Sequence, residues 1–108
     1  MLLLTAMVRV PLAPGDVPDG AMRGVRLESG RYLLLLRHRG RLRALDDLCN
    51  HAGCLLSKGR LEDGRVVCPC HLMAFDVETG ALRTTPRLCE DQPTFAVEER
   101  DGAIWVEL

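Results

Sequence analysis

Cys49-Asn50-His51 and Cys68-Pro69-Cys70-His71, with 16 residues between them, constrain this chain more than any other feature. Each short motif offers one thiolate and one imidazole. Together they make a four-ligand set of mixed softness. Zinc held this way would be a structural element, whereas a [2Fe–2S] cluster would move electrons.

The spacing separates the two readings. Structural zinc sites pair like ligands, a C-x₂₋₄-C followed by an H-x₃₋₅-H. Here the pattern is C-x-H and then C-x₂-H, so each loop supplies one ligand of each kind. In a binuclear cluster with two thiolates on one iron and two imidazoles on the other, both loops must serve both irons. Alternation of Cys and His does that. Two of the 3 histidines fall on these motifs, His51 and His71. A zinc-stabilised binding module remains the alternative of a different class.

Turn signals recur along the chain: Pro14-Gly15-Asp16, Pro18-Asp19-Gly20, Glu28-Ser29-Gly30, Arg39-Gly40, Asp63-Gly64, Glu78-Thr79-Gly80 and Asp101-Gly102. Short apolar runs lie between them, the pattern of an all-β sandwich or barrel of antiparallel strands. Strands are expected near 4–10, 21–28, 31–38, 41–47, 59–61, 65–68, 74–77, 81–84, 94–100 and 103–107. Asp63-Gly64 and Asp101-Gly102 are expected to be two-residue hairpin turns, because glycine accepts the positive φ such turns need. One short helical turn is expected within Ala13–Asp19. Tyr32-Leu33-Leu34-Leu35-Leu36, bounded by Gly30 and Gly40, reads as a strand buried on both faces. The region 48–77 reads as a small three-stranded subdomain with the metal site at its tip.

At 108 residues the chain is one domain. Its hydrophobic fraction of 47% supports a small core, and its aromatic fraction of only 4% leaves that core to aliphatic side chains. Such a core gains from a bound metal group as a staple. The net charge of −1 gives no basis for binding nucleic acid. The apolar start, Met1 to Val8, is too short to span a bilayer and lacks a basic leader, so a soluble cytoplasmic chain with no membrane partner is expected.

The two motifs, with Ala52-Gly53, Leu56, Gly59, Phe75-Asp76, Thr79-Gly80 and Pro86 around them, resemble the Rieske family, from about Val8 to Val106. The resemblance implies a Rieske-type antiparallel β sandwich with a cluster-binding subdomain. It implies one [2Fe–2S] cluster, with Cys49 and Cys68 on the inner iron and His51 and His71 on the outer. It also implies a disulfide between Cys54 and Cys70, which occupy positions that are bridged in Rieske proteins of cytochrome bc complexes. Such a bond would close a loop of about 15 residues, worth on the order of 3 kcal/mol. Pro86 to Pro93 resembles the proline-containing loop that covers Rieske clusters, although the Gly-Pro-x-Pro form is absent.

High-potential members of the family follow the second loop with Gly-Ser-x-Tyr, whose hydroxyls donate toward the cluster. Here the stretch is Leu72-Met73-Ala74-Phe75, and neither Met73 nor Phe75 can donate. A low potential is expected. The function implied is a soluble Rieske-type ferredoxin that takes single electrons from a flavin-dependent NAD(P)H reductase and passes them to a terminal oxygenase or reductase. It would be an electron carrier, not a catalyst on its own. A second expectation is the Rieske-like small subunit of an assimilatory nitrite reductase. Among the remaining candidates, Arg37-His38-Arg39-Gly40-Arg41 reads as a solvated basic hairpin, and Arg83 and Arg87 as a fringe of the cluster end. Asp46-Asp47 reads as a cap on the first loop, Cys89 as a surface thiol, and Phe95 and Trp105 as core.

Overall fold

The structure is a computed structural model and describes residues 7–50, 53–70, 72–84 and 89–108. In chain order its strands are β1 (Met7–Val10), β2 (Met22–Arg26), β3 (Tyr32–His38), β4 (Arg41–Asp46), β5 (Arg60–Glu62), β6 (Arg65–Val67), β7 (Ala74–Asp76), β8 (Thr94–Phe95), β9 (Val97–Arg100) and β10 (Ala103–Glu107). They form three antiparallel sheets, ordered β1-β10-β9, β2-β3-β4-β8 and β5-β6-β7. The all-β class expected from the sequence is what the chain adopts. Single 3-10 turns lie at Pro14–Asp16 and Leu56–Lys58. No helix among the described residues is long and apolar enough to cross a membrane.

β3 is the centre of the molecule. Side chains alternate across a strand, so its leucine run faces two cores at once. Leu34 and Leu36 pack with Leu45, Leu56, Val66 and Phe75. Leu33 and Leu35 pack with Val10, Val17, Leu27 and Ile104 on the other side. All four leucines are fully buried, each contributing about 2 kcal/mol of hydrophobic stabilisation. The expected doubly buried strand is therefore present, and it joins the core beneath the candidate site to the core of the base.

Three hairpins turn through two residues each. Asp63-Gly64 and Asp101-Gly102 do so as expected, with φ of 50° and 73°, and 52° and 71°. Arg39-Gly40 does the same between β3 and β4, at 53° and 78°. Positive φ at both positions matches the right-handed twist of the flanking strands. The basic β3–β4 hairpin is only partly a solvated surface. Arg37 is anchored, its Nε donating to the Val17 carbonyl at 2.7 Å and its Nη2 to Glu99 at 2.7 Å, while Arg39 and Arg41 are exposed.

The strand expectations need two corrections. Residues 81–84 do not form a strand; Leu82 makes a single bridge to Phe75. The Ala74 amide, the donor that would extend this pairing, goes instead to Thr84 Oγ1 at 2.8 Å. The expected strand 94–100 breaks at Ala96, because β8 pairs with β4 and β9 pairs with β10 in another sheet. The chain changes sheets there, and periodicity carries no sign of that. Residues 4–6 of the expected first strand lie outside the described residues.

Leu34→Ala removes a side chain shared by β3 and the core under the site. It should lower the free energy of unfolding by about 3 kcal/mol in a denaturant titration. A loss below about 1 kcal/mol would mean that this core does not close on β3.

Candidate metal centre

Two loops carry the predicted ligands. The first leaves β4 and begins at Cys49, and the second leaves β6 and begins at Cys68. Cys49 is 1% exposed and Cys68 is 0% exposed. Both belong to the apolar cluster that also holds Met73 and Phe75. The loops are joined by a disulfide between Cys54 and Cys70, whose Cα atoms lie 6.4 Å apart. That bond leaves Cys49 and Cys68 as thiols. One soft donor from each loop, buried in a common apolar cluster, fits the thiolate half of an iron–sulfur site. His51 and His71, the imidazole half, lie outside the described residues, as do Pro86 and Arg87.

The backbone explains why the loops match. The Cys49 amide donates to the Cys54 carbonyl at 2.7 Å, and the Gly53 amide donates back to the Cys49 carbonyl at 2.8 Å. In the second loop, the Cys68 amide donates to the Met73 carbonyl at 2.8 Å, and the Leu72 amide donates back to the Cys68 carbonyl at 3.1 Å. Both loops thus close by the same pair of bonds, and both need a left-handed residue four places after the cysteine. Gly53 fills that place in the first loop with φ of 70°, and Leu72 fills it in the second with φ of 57°. Glycine takes this conformation readily, whereas a leucine there costs roughly 1–2 kcal/mol.

Acidic caps hold the first loop from behind. Asp46 Oδ1 accepts from the Leu48 amide at 3.0 Å. Asp47 is 1% exposed and accepts from the Ser57 amide and hydroxyl, each at 2.7 Å. Burial pushes the Asp47 carboxyl above its ordinary pKa, and the two Ser57 bonds oppose that only in part. Gly24 on β2 makes room for the pair, since a Cβ there would lie 2.5 Å from Ser57 Oγ and 2.8 Å from Asp47 Oδ2. Loop capping, expected from the acidic pair, is the role both residues take.

Gln92 was not legible as a site residue. Its side chain is 2% exposed. Its amide donates to the Asp46 and Leu48 carbonyls at 2.7 and 2.6 Å. Its oxygen accepts from the Asn50 amide at 3.3 Å and the Asn50 side chain at 2.9 Å. The Asn50 side chain also donates to the Glu90 and Asp91 carbonyls. Residues 90–92 therefore clasp the first loop on both sides of Cys49. Gly80 fixes them in turn, accepting from the Gln92 amide at 2.8 Å, and a Cβ at Gly80 would strike the Gln92 carbonyl. A glutamine inside Glu90-Asp91-Gln92 carries no periodic or motif signal, so only the fold reveals it.

Other expectations shift. Arg83 is exposed and pairs with Asp76 at 3.3 Å. Cys89 is half-buried, packed against the cluster that holds Cys49 and Cys68 rather than lying in a surface loop. Phe95 is half-buried on the second core. Trp105 is also half-buried, with the Arg100 guanidinium 4.9 Å from its ring.

Comparison with known proteins gives a consistent result. The profile of the Rieske [2Fe–2S] domain matches residues 9–98. The ferredoxin component of the naphthalene 1,2-dioxygenase/salicylate 5-hydroxylase systems of Ralstonia sp is 37% identical over 93 residues, covering 86% of this chain and 88% of that protein. A Sphingomonas yanoikuyae B1 ferredoxin superposes with a TM-score of 0.85 at 26% identity, covering 95% of this chain and 99% of that one. A chain in the complex of reduced oxygenase and oxidized ferredoxin of carbazole 1,9a-dioxygenase gives a TM-score of 0.83 at 30% identity, over 94% and 92%.

Gln92→Ala strips partners from the Asp46 and Leu48 carbonyls and from Asn50 in a buried setting. Unfolding free energy should fall by about 3 kcal/mol, and bound iron should be lost faster to a chelator than from the unsubstituted protein. Unchanged stability and chelation would show that the clasp does not hold the loop.

Proposed function

The chain belongs to the Rieske [2Fe–2S] domain family and carries a Rieske-type [2Fe–2S] cluster, and on that premise we propose that it is a ferredoxin passing single electrons to a terminal oxygenase. The observation that carries this reading is the near full-length similarity to a dioxygenase ferredoxin component, 88% of that protein being covered. The electron donor is a flavin-dependent NAD(P)H reductase, and the setting is the cytoplasm. The Rieske domain occupies 1–108, with residues of about 48–77 as the part that binds the cluster.

Cys49, His51, Cys68 and His71 are the ligands. The burial of both thiols supports the two cysteines as the inner pair. When bound, the cluster supplies a centre that gains or loses one electron. The chain's own residues then do three things. Cys49 and Cys68, packed in the same apolar cluster as Met73 and Phe75, would hold the [2Fe–2S] cluster by their thiolates. The Cys54–Cys70 disulfide ties the two loops together, and the Gln92 clasp holds the first of them. As ligands of the outer iron, His51 and His71 would couple protons on their imidazoles to the oxidation state, because ligand basicity follows metal charge.

The potential is set low by what surrounds the thiols. Met73 and Phe75 are buried, at 5% and 0% exposure, and neither carries a hydroxyl. An apolar wall without hydroxyl donors at Met73 and Phe75 leaves the more negative reduced state less stabilised. The disulfide cysteines are shared with cytochrome bc Rieske proteins, but that bond constrains loop geometry and adds no donor.

The purified holoprotein should be red-brown and, once reduced, give an electron paramagnetic signal of low average g. Its potential should be negative at pH 7; a value above about +100 mV contradicts the reading. Phe75→Tyr supplies a donor and should raise the potential by about 60 mV, equivalent to about 1.4 kcal/mol for a one-electron couple. A colourless, zinc-containing protein would remove the ferredoxin reading altogether.

A further inference from the structure

Leu72 is the largest apolar exposure in the described structure, at 59%. It is also held at φ of 57°, a conformation that leucine adopts only at a cost. The first loop meets the same backbone requirement with Gly53. Neither folding nor burial therefore accounts for a leucine at this place. Its side chain is held out in solvent where glycine would satisfy the loop more easily.

The surroundings indicate what that side chain meets. Cys49 to Leu55 and Cys68 to Met73 contain no Asp, Glu, Lys or Arg, in a chain that is 27% charged. Asn50, Gly53, Pro69, Cys70 and Leu72 are the exposed described residues of the two loops, and none bears a formal charge. Glu90 and Asp91 meet this surface through their backbone carbonyls, which accept from the Asn50 side chain. Leu72 directly follows His71 in the sequence.

We infer that Leu72 is the apolar anchor through which the cluster end docks on its redox partner, and that the partner presents an apolar, uncharged surface at its point of electron entry. The inference rests on the electron-carrier reading above. Docking of this kind is driven by removing apolar surface from water and not by charge steering. An uncharged end also lets one surface serve donor and acceptor in turn, since it has no fixed charge pattern to match.

A second copy of the chain is a probe of the required chemistry, because its own loops are apolar and uncharged. In self-exchange, a reduced copy loses one electron and an oxidised copy gains it, so no other reagent is needed. Partly reduced holoprotein would be followed by nuclear magnetic resonance line broadening for the unsubstituted chain, Leu72→Gly and Leu72→Asn. Both substitutions suit a left-handed backbone, so their melting temperatures should be no lower than that of the parent.

Self-exchange should slow about tenfold in both variants, with spectrum and potential unchanged. In the parent it should vary less than about twofold between about 20 mM and about 500 mM salt. Equal rates in parent and variants, a strong salt dependence, or no detectable exchange in the parent would overturn the docking assignment while leaving a normal cluster spectrum intact. A stable dimer dissociated by Leu72→Gly would assign the residue to subunit contact and also overturn it. Absence of the cluster signal in the parent would instead remove the electron-carrier reading itself.

Discussion

Everything at the functional end depends on holding two short loops together so that one thiol from each is buried in the same apolar cluster. Neither loop is stiff by its own sequence. Each is closed by two backbone hydrogen bonds and then tied from outside. The disulfide of Cys54 and Cys70 links loop to loop. Asp47 and Ser57 brace the first loop from behind. Gln92 clasps it from the side, and Gly80 keeps Gln92 in place because no larger residue fits. These ties run through different parts of the chain, so the site is positioned by the whole fold and not by the β5–β7 sheet alone.

The same arrangement explains which parts were legible in advance. The ligand loops stood out because metal chemistry restricts residue type and spacing together. Leu33 to Leu36 could be read as a doubly buried strand because a short apolar run between glycines has few other outcomes. Asp63-Gly64 and Asp101-Gly102 declared their turns through backbone conformation, which is a local property. Gln92 and Gly24 were invisible because their roles arise from neighbours distant in sequence. The break at Ala96 was hidden for a related reason: alternation persists while a strand changes partners. Leu82 kept its apolar position, but its pairing with β7 stops at one bridge because Thr84 captures the Ala74 amide, a competition between side chain and backbone that no pattern encodes.

Two features that point to different branches of the family, a loop-tying disulfide and a second loop without hydroxyl donors, are physically independent. The disulfide is mechanical. It limits how far the loops separate. The donors are electrostatic. They act on the charge added by reduction, and Met73 and Phe75 supply none. A chain can therefore carry a rigid tip and a low potential together.

Gly53 and Leu72 make the functional argument sharper than the ligands do. The two loops are near copies in backbone terms, so each serves as the other's control. Where the first uses the residue that sterics prefer, the second uses one that sterics penalise and solvent does not welcome. The backbone requirement is common to both, which leaves the difference in side chain to be explained by something beyond the fold. An electron carrier must meet its partners briefly and release them, and an isolated leucine on an uncharged tip supplies a modest, salt-insensitive attraction suited to that. Retaining strain at the point of contact, rather than in the core, confines its cost to one exposed turn while the disulfide holds the remainder of the loop.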